Sequence, residues 1–171
     1  MRSSVPPSDI AVHGGPSVPH PMPEVLFHLA FPVTDLRAAK GFYVMGLGCA
    51  LGRESETALI LNLGGHQIVA HLAAPPTDQE GIYPRHFGLI FTSHAGWKAV
   101  HDRAKAGGLL FYQEARLRFP GTRLSHESFF LKDPSGNLLE FKHYHHPSAI
   151  FEEHATPNIG DIPSARRDRG V

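Results

Sequence analysis

Short apolar runs and one amphipathic segment follow each other in the same order in both halves of the chain. The first half opens with the apolar run VLFHLAF at residues 25–31. A segment at residues 35–47 follows, in which apolar side chains recur at the spacing of a helix. Three runs typical of strands come next, CALGR, TALILN and HQIVAHL. The pattern predicts one strand, one helix and three more strands.

The second half repeats this order. It opens with RHFGLIF and continues with the amphipathic segment GWKAVHDRAKAGG and the runs LLFYQEARL, ESFFLKD and NLLEFKHY. Thr34-Asp35 and Ser93 are suitable N-caps for the two helices, and glycines follow each helix. We therefore predict an α+β fold of two βαβββ modules, at about residues 25–73 and 84–146, whose strands form a cupped mixed sheet.

The two ends of the chain differ from this pattern. Residues 1–23 are rich in Pro, Ser and Gly, which favours a flexible N-terminal arm. Residues 147–171 end in PSARRDRGV and are interpreted as a C-terminal tail. A single folded domain is expected between them, at residues 24–146.

The composition narrows the classes of protein. Lys plus Arg and Asp plus Glu each number 16, so a zero formal net charge gives no basic footprint for nucleic acid or an anionic membrane. No apolar run approaches the length of a transmembrane helix, and the N-terminus lacks the layout of a secretion signal. The single cysteine, Cys49, excludes an internal disulfide and a cysteine-based zinc site. We expect a cytoplasmic protein.

Histidine is abundant, with 13 residues, and two of them occupy matching places in the halves. His28 and His86 lie in the first strand of their modules, and Glu140 interrupts the apolar last strand. Alternate residues of a strand share a face, so the three side chains can converge if those faces line one cup. Two imidazoles and a carboxylate form the facial triad that holds Fe(II) in non-haem oxygenases and leaves positions open for substrate.

Each of these residues also has a purely structural interpretation. Glu140 could face solvent, pair with a base such as Lys142, or be a satisfied buried carboxylate. Each histidine could be a core residue whose ring is satisfied by hydrogen bonds. The matched placement of the two histidines favours the metal site.

Three segments of the chain resemble the vicinal oxygen chelate superfamily: FHLAFPVTDLRAAKGFYVMGLG, RHFGLIF and FFLKDPSGNLLEFK. The superfamily includes glyoxalase I, extradiol dioxygenases, fosfomycin-resistance enzymes, methylmalonyl-CoA epimerase and metal-free bleomycin-resistance proteins. The resemblance covers about residues 25–145. It implies paired βαβββ modules around one metal, and it implies that His28, His86 and Glu140 occupy the ligand positions.

A fourth ligand, Glu or Gln, comes from the last strand of the first module in glyoxalase-like and epimerase-like members. In this chain that strand reads HQIVAHL, and Gln67, Val69 and His71 share one face of it. Val69 in the fourth position would leave three ligands, as in the dioxygenases. His71 there would add a third histidine, and it could otherwise act as an acid or base facing the cavity or be a core residue. No Glu is present at this place, which disfavours glyoxalase I activity.

Substrate contacts are assigned to residues near the cup. Arg116 and Arg123 lie in ARLRFPGTRL, a long segment that could cover a cavity mouth and bind a carboxylate or phosphate, although solvated surface charge also explains them. Tyr144 follows the strand of Glu140 and could line the pocket, and Gln67 faces the same way as the fourth position.

These observations predict a dioxygenase-like enzyme that uses a divalent metal, Fe(II) in first place and otherwise Mn, Zn, Ni or Co. Its substrate is a small molecule that chelates the metal through neighbouring oxygens. The alternatives are a lyase, isomerase or thiol transferase with the same metal, and a metal-free protein that sequesters a drug. Open sheet edges favour a homodimer, and the cup closes either within one chain or between two.

Overall fold

A computed structural model describes residues 25–74, 79, 81–156 and 159–160. The predicted N-terminal arm, residues 1–23, lies outside the described residues, and the predicted tail is described only in part. The part of the chain that is described contains no helix long and apolar enough to cross a membrane.

The first module has the predicted order of elements. They are β1 (His28–Val33), α1 (Leu36–Lys40), a π-helical segment (Gly41–Gly46), β2 (Ala50–Glu54), β3 (Ala58–Leu63) and β4 (His66–Leu72). Asp35 caps α1, because its carboxylate accepts hydrogen bonds from the backbone N–H groups of Arg37 and Ala38. The π-helical segment continues α1 and was not predicted.

The second module repeats the same order. Its elements are β5 (Phe87–Phe91), α2 (His94–Ala106), β6 (Phe111–Arg118), β7 (His126–Lys132) and β8 (Leu138–Tyr144). Ser93 caps α2 as predicted, because its hydroxyl accepts a hydrogen bond of 3.2 Å from Gly96 N. A short 3-10 helix, Pro147–Ile150, follows β8.

The strands form two four-stranded mixed sheets with the same topology. The order is β1-β4-β3-β2 in the first module and β5-β8-β7-β6 in the second. The first and last strands of each module pair in parallel, and the remaining neighbours are antiparallel. The predicted fold class, with two βαβββ modules, is therefore confirmed.

The two modules share one hydrophobic core, built from the face of each sheet that carries its helix. The core includes Leu61 and Tyr43 from the first module and Phe129 and Trp97 from the second. The opposite face of each sheet, which we call the open face, carries residues outside this core cluster. In the second module several of them, such as Ser128 and Phe130, are nevertheless buried. His28 belongs to the open face of the first module and is exposed. The sequence left open whether the cup closes within one chain or between two, and in this chain His28 lies apart from His86 and Glu140 among the described residues.

The turn after β7 holds the two modules together. Asp133 accepts a hydrogen bond of 2.9 Å from the hydroxyl of Tyr43, and both residues are buried. Thr34 N donates to the hydroxyl of Ser135 at 3.0 Å, and Asn137 Nδ2 donates to the carbonyl oxygen of Pro32 at 2.9 Å. These three bonds form the module latch, which sets the relative position of the two sheets.

Candidate functional site

Glu140 and His86 meet on the open face of the second module. Gly88 of β5 pairs with Glu140 of β8, and His86 precedes β5 on the same face. A Cβ atom on Gly88 would lie 1.7 Å from the carbonyl oxygen of Glu140, so glycine is required where the two strands approach. His86 and Gly88 are two residues apart and so share one face of the sheet, as predicted. This alternation brings the side chains of His86 and Glu140 to the same face.

The imidazole of His86 is held in a defined orientation. Its Nδ1 lies 2.7 Å from the carbonyl oxygen of Ile82, which can only accept, so Nδ1 carries the hydrogen. Its Nε2 then faces Oε2 of Glu140 at 3.3 Å. The hydrogen bond to Glu140 raises the pKa of His86, although burial opposes this. The contact with Glu140 thus favours the protonated form of His86.

Lys142 lies beside the same carboxylate. Its Nζ is 2.7 Å from Oε2 of Glu140, and both side chains are largely buried. Burial alone would raise the pKa of the Glu140 carboxyl, but the hydrogen bond from His86 and the charge of Lys142 outweigh burial and lower it. Glu140 is therefore an ionised carboxylate at neutral pH. It pairs with Lys142, which the sequence suggested as a possible structural partner.

His28 has a comparable anchor in the other module. Its Nδ1 lies 2.8 Å from Oε1 of Gln67, across the β1–β4 pair. Since an amide oxygen only accepts, Nδ1 carries the hydrogen and Nε2 is left available. Gln67, which the sequence predicted as a substrate contact, accepts the hydrogen bond that orients His28.

The three predicted ligands are not gathered within one chain. Two of them, His86 and Glu140, are adjacent on one open face, whereas His28 lies on the other. Over the described ranges, no set of three His, Cys, Asp or Glu residues could hold a metal ion.

Strand register shows which residue of β4 corresponds to Glu140 of β8. Ala30 pairs with Val69 in the first module, as Gly88 pairs with Glu140 in the second. Val69 is therefore the counterpart of Glu140. His71 lies farther along, opposite Pro32, and is exposed on the open face of the first module.

The predicted substrate residues have different surroundings. Arg116 pairs with Ser128 on the open face of the second module and is exposed. Tyr144 is on the same face, half-buried, with its ring 4.8 Å from that of His126. Arg123 instead contacts the tail, because its guanidinium donates to Glu153 at 3.2 Å and to Ser148 at 3.3 Å.

Two buried polar residues near Glu140 were not singled out from the sequence. His126 is almost fully buried, and burial lowers its pKa, so its ring is neutral at neutral pH. Ser128 is fully buried, and its hydroxyl has no hydrogen-bond partner among the residues that the structure describes. Both side chains lie on the same face of the sheet as Arg116 and Lys142. The alternation of residues along β7 could have identified them.

His86 and Glu140 alone are spaced as two ligands of one divalent ion would be. Two imidazoles with anchored Nδ1 atoms and one ionised carboxylate are a typical donor set. Two ligands bound at ~2.1 Å to one ion lie about 3.0–3.4 Å apart. The separation of 3.3 Å between His86 Nε2 and Glu140 Oε2 falls within that range.

Comparison with solved structures shows a similar architecture in several proteins. A glyoxalase/bleomycin resistance protein/dioxygenase from Alicyclobacillus acidocaldarius is 41% identical, with a TM-score of 0.72, over 75% of this chain and 98% of that protein. Two more distant structures share the fold. They are lactoylglutathione lyase from Agrobacterium tumefaciens (20% identity, TM-score 0.53, 71% and 94% coverage) and the fosfomycin resistance protein FosX from Mesorhizobium loti (16%, 0.54, 70% and 92%).

Comparison of the sequence with known families agrees with the fold. No curated protein matches the chain significantly. The family model described as the glyoxalase/bleomycin resistance protein/dioxygenase superfamily matches residues 25–141, which is most of the chain. The chain therefore belongs to the glyoxalase/bleomycin resistance protein/dioxygenase superfamily.

Proposed function

We propose that this protein is a divalent-metal-dependent enzyme, with dioxygenase-like chemistry on a small molecule that chelates the metal through neighbouring oxygens. His86 and Glu140 would hold the metal together with His28 from a second copy of the chain. The observation that carries the proposal is the contact between His86 Nε2 and Glu140 Oε2, with Nδ1 of His86 tied to a carbonyl oxygen.

The open faces support a site shared between two copies. Each chain has two ligands on one open face and the third on the other, so neither face is complete by itself. A two-fold dimer would pair the first module of each copy with the second module of the other. Two such sites per homodimer follow from this symmetry.

The residues of the chain have defined tasks in this site. The Ile82 carbonyl and Gln67 hold the rings of His86 and His28 so that Nε2 points to the ligand position. Val69 supplies no donor atom at the fourth position, so positions remain for a chelating substrate. A bound divalent ion, Fe(II) in first place, supplies Lewis-acid chemistry or activation of O2. His71, on the open face, is proposed as an acid or base for the bound substrate.

A second candidate function is supported by one observation. Lys142 already neutralises Glu140 at 2.7 Å, so the buried carboxylate is satisfied without a metal. A metal-free protein that binds a small molecule is consistent with this pair. Lyase, isomerase or thiol transferase activity with the same metal ligands is the enzymatic alternative.

Metal content separates these functions. We would purify the wild type, His28→Ala and His86→Ala without added metal or chelator and measure bound metal by mass spectrometry. The proposal expects about one ion per wild-type chain and loss of most of it in each variant. Absence of metal from the wild type, even after reconstitution, would leave the metal-free binding protein.

Mixing the two variants tests the shared site. A mixed dimer of His28→Ala and His86→Ala chains contains one site with both substitutions and one site with neither. Metal uptake should therefore reappear when the two inactive variants are unfolded and refolded together. Recovery in the mixture supports ligands from two copies, whereas no recovery would place all ligands within one chain.

A further inference from the structure

A cavity of about 370 Å³ lies at the seam between the two modules, and we call it the seam cavity. Its wall includes β1 of the first module and, from the second, the start of β5 and the turn between β7 and β8. Its volume lies within the range of small-molecule sites, which begins at about 300 Å³. Of the residues assigned to the proposed metal site, His86 alone lines it. The seam cavity is thus a second place where a small molecule can bind.

One side of the seam cavity is apolar and comes from both modules. Four side chains form this apolar wall: Leu29 and Phe31 of β1, Phe87 of β5 and Leu138 of β8. The ring centroids of Phe31 and Phe87 are 5.1 Å apart, and both rings pack in or against the shared core. The core therefore holds the apolar wall in place. Such a wall favours a ligand with an aromatic or branched apolar body.

The other side of the seam cavity carries positive charge. Arg85, just before β5, and Lys132, at the end of β7, both line it, whereas none of its described lining residues is Asp or Glu. Arg85 is engaged by Gln79, whose Oε1 accepts a hydrogen bond of 3.2 Å from its Nε atom. The ammonium of Lys132 has no ion pair or hydrogen bond with any residue that the structure describes. Lys132 can therefore bind an anionic group without giving up another partner.

The seam cavity also adjoins the module latch. Ser135 and Asn137, which bond to the first module in the latch, are part of the cavity wall. A ligand in the cavity would contact β1 and the turn after β7 at the same time. It would bind only the folded chain with both modules in place, so binding should stabilise the fold by mass action.

We propose that the seam cavity binds a small carboxylic acid with an aromatic or branched apolar body. The body lies against the apolar wall, and the carboxylate pairs with Lys132. This site requires no metal ion, and it goes beyond the proposed function because the open faces take no part in it apart from the ring of His86.

The probes 2-naphthoate and 2-naphthamide test the assignment, because they have the same rings and differ by one negative charge. Each would be titrated by calorimetry into EDTA-treated wild type, Lys132→Met, Lys132→Arg and, as the matched control on α2, Lys98→Met. Wild type and Lys98→Met are expected to bind 2-naphthoate at least about ten-fold more tightly than 2-naphthamide, which is typical of a charged hydrogen bond. Lys132→Met should lose this preference, and Lys132→Arg should keep most of it. A preference that survives in Lys132→Met would overturn the role of Lys132.

A cavity-filling variant tests the location of the site. Leu29→Trp should block both probes and abolish the rise in melting temperature that 2-naphthoate is expected to cause in wild type. Circular dichroism checks the fold, and Leu29→Phe is the second variant if Leu29→Trp does not fold. Undiminished binding in a folded cavity-filling variant, or no binding by wild type, would overturn the proposal. The protein is free of metal throughout, so neither result depends on the proposed metal site.

Discussion

Gly88 has no side chain, and this lets β5 approach β8 closely enough for His86 to reach Glu140. The contact depends on a backbone distance, since the clashing atom is a carbonyl oxygen that cannot rotate away. Gly41 offers a contrast within the same chain. Its backbone is helical, and a Cβ atom there would meet nothing within 4 Å.

Substitution of these two glycines should have opposite effects on stability. Gly88→Ala is expected to lower the free energy of unfolding by about 3 kcal/mol, because strands β5 and β8 must separate. Gly41→Ala should raise it by about 0.5–1 kcal/mol, since alanine is the better helix former. Urea unfolding followed by circular dichroism measures both. A neutral Gly88→Ala would mean that the two strands are farther apart than described.

Cys49 shows how burial controls reactivity at a single residue. Its side chain is in the core, and burial raises the pKa of the thiol to about 11. At pH 8 the folded protein therefore contains roughly 100-fold less thiolate than an unperturbed cysteine would. Iodoacetamide should label Cys49 slowly in the native state and rapidly in guanidinium chloride, as followed by mass spectrometry. Rapid native labelling would contradict its burial.

At the scale of elements, the turn between β7 and β8 does more than reverse the chain. Asp133 accepts backbone hydrogen bonds from Ser135 and Asn137, which shape the turn. Its other oxygen accepts from Tyr43 of the first module. One carboxylate thus couples a local turn to the interface between the modules.

Tyr43→Phe should weaken this coupling. The substitution removes one hydrogen bond to a buried carboxylate, and we expect a loss of about 1–2 kcal/mol in the free energy of unfolding. Tyr112→Phe, at an exposed tyrosine of β6, is the matched control and should change stability by less than about 0.5 kcal/mol. Equal effects of the two substitutions in denaturant titrations would argue against the module latch.

Most elements could be predicted from the sequence because their signals are local. Short apolar runs located the strands, and Asp35 and Ser93 marked the helix starts that the structure has. The apolar run that predicted β1 ends at Phe31, whereas the strand continues through Pro32 to Val33. Proline is tolerated there, since β1 is an edge strand. Register between strands is not local, and it was needed to identify Val69 as the counterpart of Glu140.

At the scale of the molecule, the relative placement of the two modules could not be predicted. Parity placed His28 on the open face of its sheet, but it cannot tell which way that sheet faces. The choice depends on the shared core and on contacts such as Thr34 with Ser135, far apart in sequence. The local sequence pattern is the same whether the site is complete in one chain or shared between two chains.

A charge on the open face of the first module should separate two copies. Ala30 is exposed on the edge strand β1 of that face, and Ala30→Glu would place a carboxylate in the proposed interface. Sedimentation should show a dimer for wild type, a monomer for Ala30→Glu, and loss of bound metal with unchanged circular dichroism. Ala99→Glu, on an exposed position of α2, is the control and should remain dimeric.

The separation of His28 from His86 and Glu140 also has a genetic consequence. In a dimer with shared sites, each chain contributes ligands to two sites. A chain that lacks one ligand inactivates only one of them. Active sites in a mixed population would then decline in proportion to the share of such chains. A chain that lacks both His28 and His86 spoils both sites of every dimer it enters, so active sites would decline with the square of the wild-type share. Alleles of the second kind would be dominant-negative, and alleles of the first kind would complement one another.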